Sequence, residues 1–128
     1  MTRVILICGL PGSGKTDLAY KLKKPSSIVI DDIARIEDLR DALAKNPDEV
    51  IVTDPAFCNT QVRELATKKL LGYDIEWIFF ENDPVKCKVN VDHRNDGRLV
   101  KGLIEALSKT YVIPPSHTPR KIWQPSSA

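Results

Sequence analysis

No stretch of the 128-residue chain approaches the run of about eighteen apolar residues that a membrane-spanning helix needs, so a bilayer span is not expected. The apolar run behind Met1-Thr2-Arg3, Val4-Ile5-Leu6-Ile7-Cys8, is too short for a secretory core. It leads into a glycine loop rather than a cleavage site, so it reads as a first strand of a cytoplasmic protein. Cysteine is scarce. Cys8, Cys58 and Cys87 are odd in number and far apart, with no C-x-x-C and no Cys/His cluster. That argues against a disulfide framework or a zinc site and leaves three reduced thiols. Aromatic residues are only 6% of the chain and form no stripe interleaved with basic ones, which argues against a long stacking track for single strands. There is no internal repeat.

What is present is a core's worth of apolar residues, 42%, in a length that suits one domain. The net charge of +2 conceals an asymmetry. Residues 1–85 hold 11 Lys/Arg against 14 Asp/Glu, and residues 86–128 hold 8 against 3. A basic second half attracts phosphates or nucleic acid, and much of it also suits an ordinary solvated surface.

Strand and helix patterns alternate along the chain. Val4 to Cys8, Ser27 to Ile30, Glu49 to Thr53 and Asp74 to Phe80 read as strands. Lys15 to Lys24, Ile33 to Lys45 and Asn59 to Leu71 read as helices, the last with Val62, Leu65, Ala66 and Leu70 inward and Gly72 closing it. A further helix begins at Asp83-Pro84 and breaks at Asn95-Asp96-Gly97. Another runs from Leu99 to Tyr111. The expected class is α/β, a short parallel sheet of four to five strands with helices on both faces. Residues 1–115 form the domain. Residues 116–128 are a proline-rich C-terminal tail, extended except where Ile122-Trp123 adds an edge strand or docks on the body.

Between the first strand and the first helix lies Gly9-Leu10-Pro11-Gly12-Ser13-Gly14-Lys15-Thr16, which fits G-x-x-x-x-G-K-[ST]. Glycines admit positive φ and let backbone N–H groups approach phosphate oxygens. The helix N-terminus behind them favours an anion. Lys15 reaches the β- and γ-phosphates, and the Thr16 hydroxyl suits Mg²⁺. Gly9, Pro11, Gly12, Ser13, Gly14, Lys15 and Thr16 are therefore expected to cradle a nucleoside triphosphate. The absence of an N/T-K-x-D guanine signature favours ATP.

Acidic residues stand at the ends of two strands, where ligands sit in parallel sheets. Asp54 follows the third strand and is the expected Mg²⁺ carboxylate with Thr16, although an Asp before Pro55 also suits a turn. Asp31 and Asp32 follow the second strand. One of them is expected to take the proton of an acceptor hydroxyl, while a helix N-cap is the structural alternative. Arg94 and Arg98 flank Asn95-Asp96-Gly97 and are expected to close over the γ-phosphate as a lid.

With these residues in place, the chain resembles small P-loop kinases of the polynucleotide-kinase type, found in bacteriophages and in repair and tRNA-processing enzymes. The loop G-L-P-G-S-G-K-T is typical of that group, and Asp32-Ile33-Ala34-Arg35 resembles its D-x-x-R element. Thr53-Asp54 with Asn59 and Arg63 resembles the segment after its third strand. Phe79 to Pro84, then Asn90, Arg94 and Arg98, resembles the approach to its lid, with a spacing one residue different. The resemblance implies a three-layer P-loop kinase fold, with Asp32 as general base and Arg35 on a phosphate of the acceptor. It also implies Asp31, Asp54 and Arg63 on the substrate side, and lid arginines on ATP.

Three functions fit these readings. One is an ATP-dependent kinase for the 5′-hydroxyl of a polynucleotide or nucleotide. Another is a kinase for a small metabolite such as a nucleoside, nucleotide or sugar, favoured by the short segment between Asp32 and Asp54. The last is an ATP-binding or slow NTPase module that transfers to no acceptor.

Overall fold

The two most continuous apolar runs occupy the middle of the sheet, where strands buried on both faces belong. In the computed structural model, which describes residues 2–31, 36–93 and 100–122, β1 (Arg3–Cys8) and β3 (Glu49–Thr53) are flanked by β2 (Ser27–Asp31) and β4 (Asp74–Phe79). The order is β2-β3-β1-β4, and every pairing is parallel. Register sets Asp31 and Ile7 beside Thr53, and Cys8 beside Phe79, so the carboxyl ends of the strands share one edge.

Alternation along β1 divides the core. Ile5 and Ile7 meet Leu18 and Ala19 of α1 (Lys15–Leu22) on one face. Val4 and Leu6, with Val50 and Val52, meet Leu39 and Ala42 of α2 (Ile36–Ala44), Ala66 of α3 (Thr60–Lys69) and its C-cap Leu70 on the other. Cys87 and Val91 of α4 (Pro84–His93) and Ile104 of α5 (Lys101–Ser108) join this second cluster. Each Val, Leu or Ile among them withdrawn from water contributes about 1.5–3 kcal/mol before entropy is counted. Adjacent strands β1 and β3 thus send the chain to opposite faces, which opens a crevice between their carboxyl ends.

Local chemistry sets the boundaries. α1 stops at Leu22, short of the expected Lys24, because Lys23 turns extended (φ −62°, ψ 129°) ahead of Lys24-Pro25. Asn59 caps α3, its side chain accepting from the N–H groups of Gln61 and Val62. A 3₁₀ turn, Pro55–Cys58, precedes that cap and has no counterpart in the sequence reading. Among the described residues no helix is long and apolar enough to cross a membrane.

One expectation needs correction. Leu65 was placed inward, yet it is 55% exposed, and the inner seat of α3 belongs to Arg63. The chain after α5 docks on the body as far as Ile122, the alternative to an extended tail that the sequence left open. Arg120 pairs in parallel with Phe80, donating to the Phe79 carbonyl (2.7 Å) and accepting from the Glu81 N–H (2.9 Å). Ile122 is buried in the larger core cluster. This pairing gives the free edge of β4 a partner at its carboxyl end.

Candidate functional site

The loop from Gly9 to Thr16 sits at the crevice, joining β1 to α1. Gly12 (φ 87°) and Gly14 (φ 103°) both occupy the left-handed region. At Gly12 the requirement is also steric, since an added Cβ would lie 2.6 Å from the Cys87 carbonyl oxygen. Gly14 is the N-cap of α1 and brings no side chain to it. The first turn is therefore uncapped by its own cap residue, and the helix presents its positive end to the loop.

The loop is tied to itself from within. Leu10 is fully buried, and its carbonyl accepts from the Ser13 N–H (3.1 Å) and from Lys15 Nζ (2.9 Å). Lys15 is only 6% exposed, so its ammonium is held inside the loop. Ser13 is fully buried, and its hydroxyl has no hydrogen-bond partner among the described residues. A buried orphan of this kind costs about 1–3 kcal/mol, a strain that functional sites tolerate more often than plain cores. Asn90, buried on α4, donates from Nδ2 to the Gly12 carbonyl (2.8 Å).

Asp54, expected to join Thr16 as the metal carboxylate, accepts at Oδ1 from the Ala56 N–H (2.7 Å) and caps the 3₁₀ turn with Pro55 behind it. Asp31 takes the place beside Thr16. Its Oδ1 accepts from Thr16 Oγ1 (3.0 Å) and from Thr53 Oγ1 (2.6 Å), joining α1, β2 and β3 at one atom. A hydroxyl and a carboxylate at that distance form an all-oxygen donor pair of the kind a Mg²⁺ ion takes along with phosphate oxygens. Among the described residues no group of three or more His, Cys, Asp and Glu gathers that could hold a metal ion.

Arg63 was expected to hold substrate. It is 7% exposed, and its guanidinium is spent on the chain itself. Nη1 donates to the Phe57 carbonyl (2.6 Å), and Nη2 donates to the Val112 carbonyl (2.7 Å) and to Thr60 Oγ1 (3.2 Å). The cation also lies 5.3 Å from the centre of the Phe79 ring. Arg63 thus pins the 3₁₀ turn and the segment after α5 to α3. Asp32, Arg35, Arg94 and Arg98, expected as base, acceptor clamp and lid, lie outside the described residues.

The three thiols are tuned in different directions, with Cys8 held below its ordinary value by its hydrogen bond with Cys58. All three are free and buried. Burial pushes the Cys87 thiol up to about 11. A hydrogen bond with Cys8, with burial behind it, raises Cys58 further. Neither offers a thiolate near neutral pH.

Sequence reasoning missed Asn90 as a contact of the loop and Arg120 and Lys121 as neighbours of the site. The last two line a cleft of about 580 Å³ with Gly14, Asp17, Lys21 and Phe80. The docking of the tail on β4 brings them there.

No family model matches the chain. An uncharacterized protein of Acanthamoeba polyphaga mimivirus is 32% identical to it over 119 residues, covering 84% of this chain and 82% of the viral protein. The chain belongs to that protein's family. Since the relative is itself uncharacterized, the kinship carries no activity with it.

Proposed function

We propose that the chain is an ATP-dependent kinase of the polynucleotide-kinase type, built on a three-layer P-loop fold, with residues 9–16 holding the triphosphate. The observation that carries this reading is the loop itself. It combines two left-handed glycines, an uncapped helix N-terminus, an enclosed lysine and a hydroxyl–carboxylate pair at the mouth of a parallel-sheet crevice. Those are the parts that polyphosphate binding requires. The backbone N–H groups and Lys15 would hold phosphate oxygens. Thr16 and Asp31 would hold Mg²⁺, which, when bound, neutralises charge on the phosphates.

In the transfer step the acceptor oxygen forms a bond to the γ-phosphorus, the bond to the β-bridging oxygen breaks, and ADP leaves. The hydroxyl proton passes to Asp32, while Arg35 orients the acceptor. Arg94 and Arg98 balance the moving charge. The acceptor this reading favours is a 5′-hydroxyl of a polynucleotide or nucleotide. One observation favours a smaller acceptor: only 17 residues separate Asp31 from Glu49, and α2 uses nine of them, leaving little chain for an extended site.

Transfer of γ-labelled phosphate from ATP to a panel of 5′-hydroxyl DNA and RNA oligonucleotides, 3′-nucleotides, nucleosides and sugars decides between them. Label on oligonucleotides supports the polynucleotide reading. Label only on a small acceptor moves the assignment to a metabolite kinase, and no label anywhere refutes transfer.

A second expectation concerns Asp31. Replacing it with asparagine keeps an acceptor for Thr16 and Thr53 but removes the charge. Transfer is expected to fall about 10- to 100-fold, with a raised Mg²⁺ requirement, while the fold persists. Unchanged Mg²⁺ dependence in Asp31→Asn would remove Asp31 from the metal shell.

A further inference from the structure

The loop is not held by β1 and α1 alone. Three residues on one face of α4 press on Gly12. The Cys87 carbonyl oxygen stands 2.6 Å from where a Cβ would be, Val91 Cγ2 stands 3.1 Å from it, and Asn90 Nδ2 bonds the Gly12 carbonyl at 2.8 Å. All three are nearly or fully buried. The peptide from Gly12 to Ser13 is trans, so its carbonyl and its N–H point in opposite directions. Asn90 draws the carbonyl toward α4. The Ser13 N–H is thereby turned the other way, across the loop to the Leu10 carbonyl, where Lys15 Nζ also converges.

We infer that Asn90 is a positioning residue of the loop, one that fixes the plane of the Gly12–Ser13 peptide and so keeps the loop's donors preset for a polyphosphate chain. The inference rests on the phosphate-binding reading above. Asparagine suits the task because its amide donates to a carbonyl without bringing charge into a buried contact. A loop held in its binding shape does not lose that ordering entropy again when ligand arrives. α4 is described through His93, and Arg94 is the next residue in the sequence. The helix that steadies the loop is therefore the one that leads into the proposed lid.

The test is calorimetric binding of inorganic tripolyphosphate to the full chain and to Asn90→Ala and Asn90→Asp, with hydrogen exchange followed at the Ser13 amide. In Asn90→Ala the affinity should fall about tenfold, the scale of one lost hydrogen bond, and the Ser13 N–H should exchange faster while β1 and β3 stay protected. Asn90→Asp should bind worst at neutral pH, where a carboxylate faces the Gly12 carbonyl. It should recover as the pH falls and the protonated carboxyl donates again. Binding unchanged in both variants, or weakened only in step with unfolded protein, overturns the inference alone. A wild-type chain that takes up no tripolyphosphate overturns the phosphate reading, and this inference with it.

Discussion

Replacing Lys15 with alanine is expected to lower phosphoryl transfer about a thousandfold, the scale seen when one preorganised charge stabiliser is removed from a dry site. The side chain is 94% withdrawn from solvent by its 6% exposure, and its ammonium sits 2.9 Å from the Leu10 carbonyl, inside the loop. Its charge is therefore poorly screened and close to any phosphate the loop admits. Stability should barely change, by about 1 kcal/mol or less, because the Leu10 carbonyl keeps its bond from the Ser13 N–H. Removing the buried ammonium also relieves its desolvation. Arginine should not rescue the function, since a planar fork does not replace a compact point charge in so tight a loop. Thermal unfolding beside a transfer assay separates the two effects. Equal activity in Lys15→Ala would detach the loop from catalysis.

Arg63 should behave in the opposite way. Arg63→Ala leaves the Phe57 and Val112 carbonyls without their donor and opens a cavity against Phe79. An unsatisfied buried carbonyl costs about 1–3 kcal/mol, and the cavity left by the large side chain adds about as much again. For a chain this size the midpoint of thermal unfolding should drop by about 10 °C or more. Lysine cannot reproduce three donors spread over two separate nitrogens, so Arg63→Lys should recover little. Leu65, two positions along the same helix and exposed, is the control. Leu65→Ala should stay within about 0.5 kcal/mol of wild type. A substrate role for Arg63 predicts a different outcome, wild-type stability with a raised KM.

That contrast shows where sequence reasoning stopped. Helical spacing identified the inward stripe of α3 through Val62, Ala66 and Leu70, but it ranked Leu65 above Arg63. Periodicity scores apolar character and is blind to a cation whose partners are carbonyls 6 and 49 residues away. The central strands were legible because β1 and β3 are apolar without alternation, a pattern that only burial on both faces explains. The glycine loop was legible because its backbone demands are local. Gly12 and Gly14 adopt the conformations that glycine alone takes readily.

Asp54 and Asp31 were both visible as acidic residues at strand ends, and their roles were not. The Asp54-Pro55 pair closes its own turn within two residues. The bonds from Thr16 and Thr53 to Asp31 depend on strand order, which the sequence does not state. The docking of Arg120 on β4 is nonlocal in the same way.

The claim on which the rest depends is that residues 9–16 bind the triphosphate. It is tested most directly by following the backbone amide signals of the full chain while MgATP is added. The account predicts saturable shifts concentrated at Gly12, Ser13, Gly14, Lys15 and Thr16, spreading to Asp31 and Thr53, and lost in Lys15→Ala. Shifts centred elsewhere, or none at millimolar nucleotide, would contradict it.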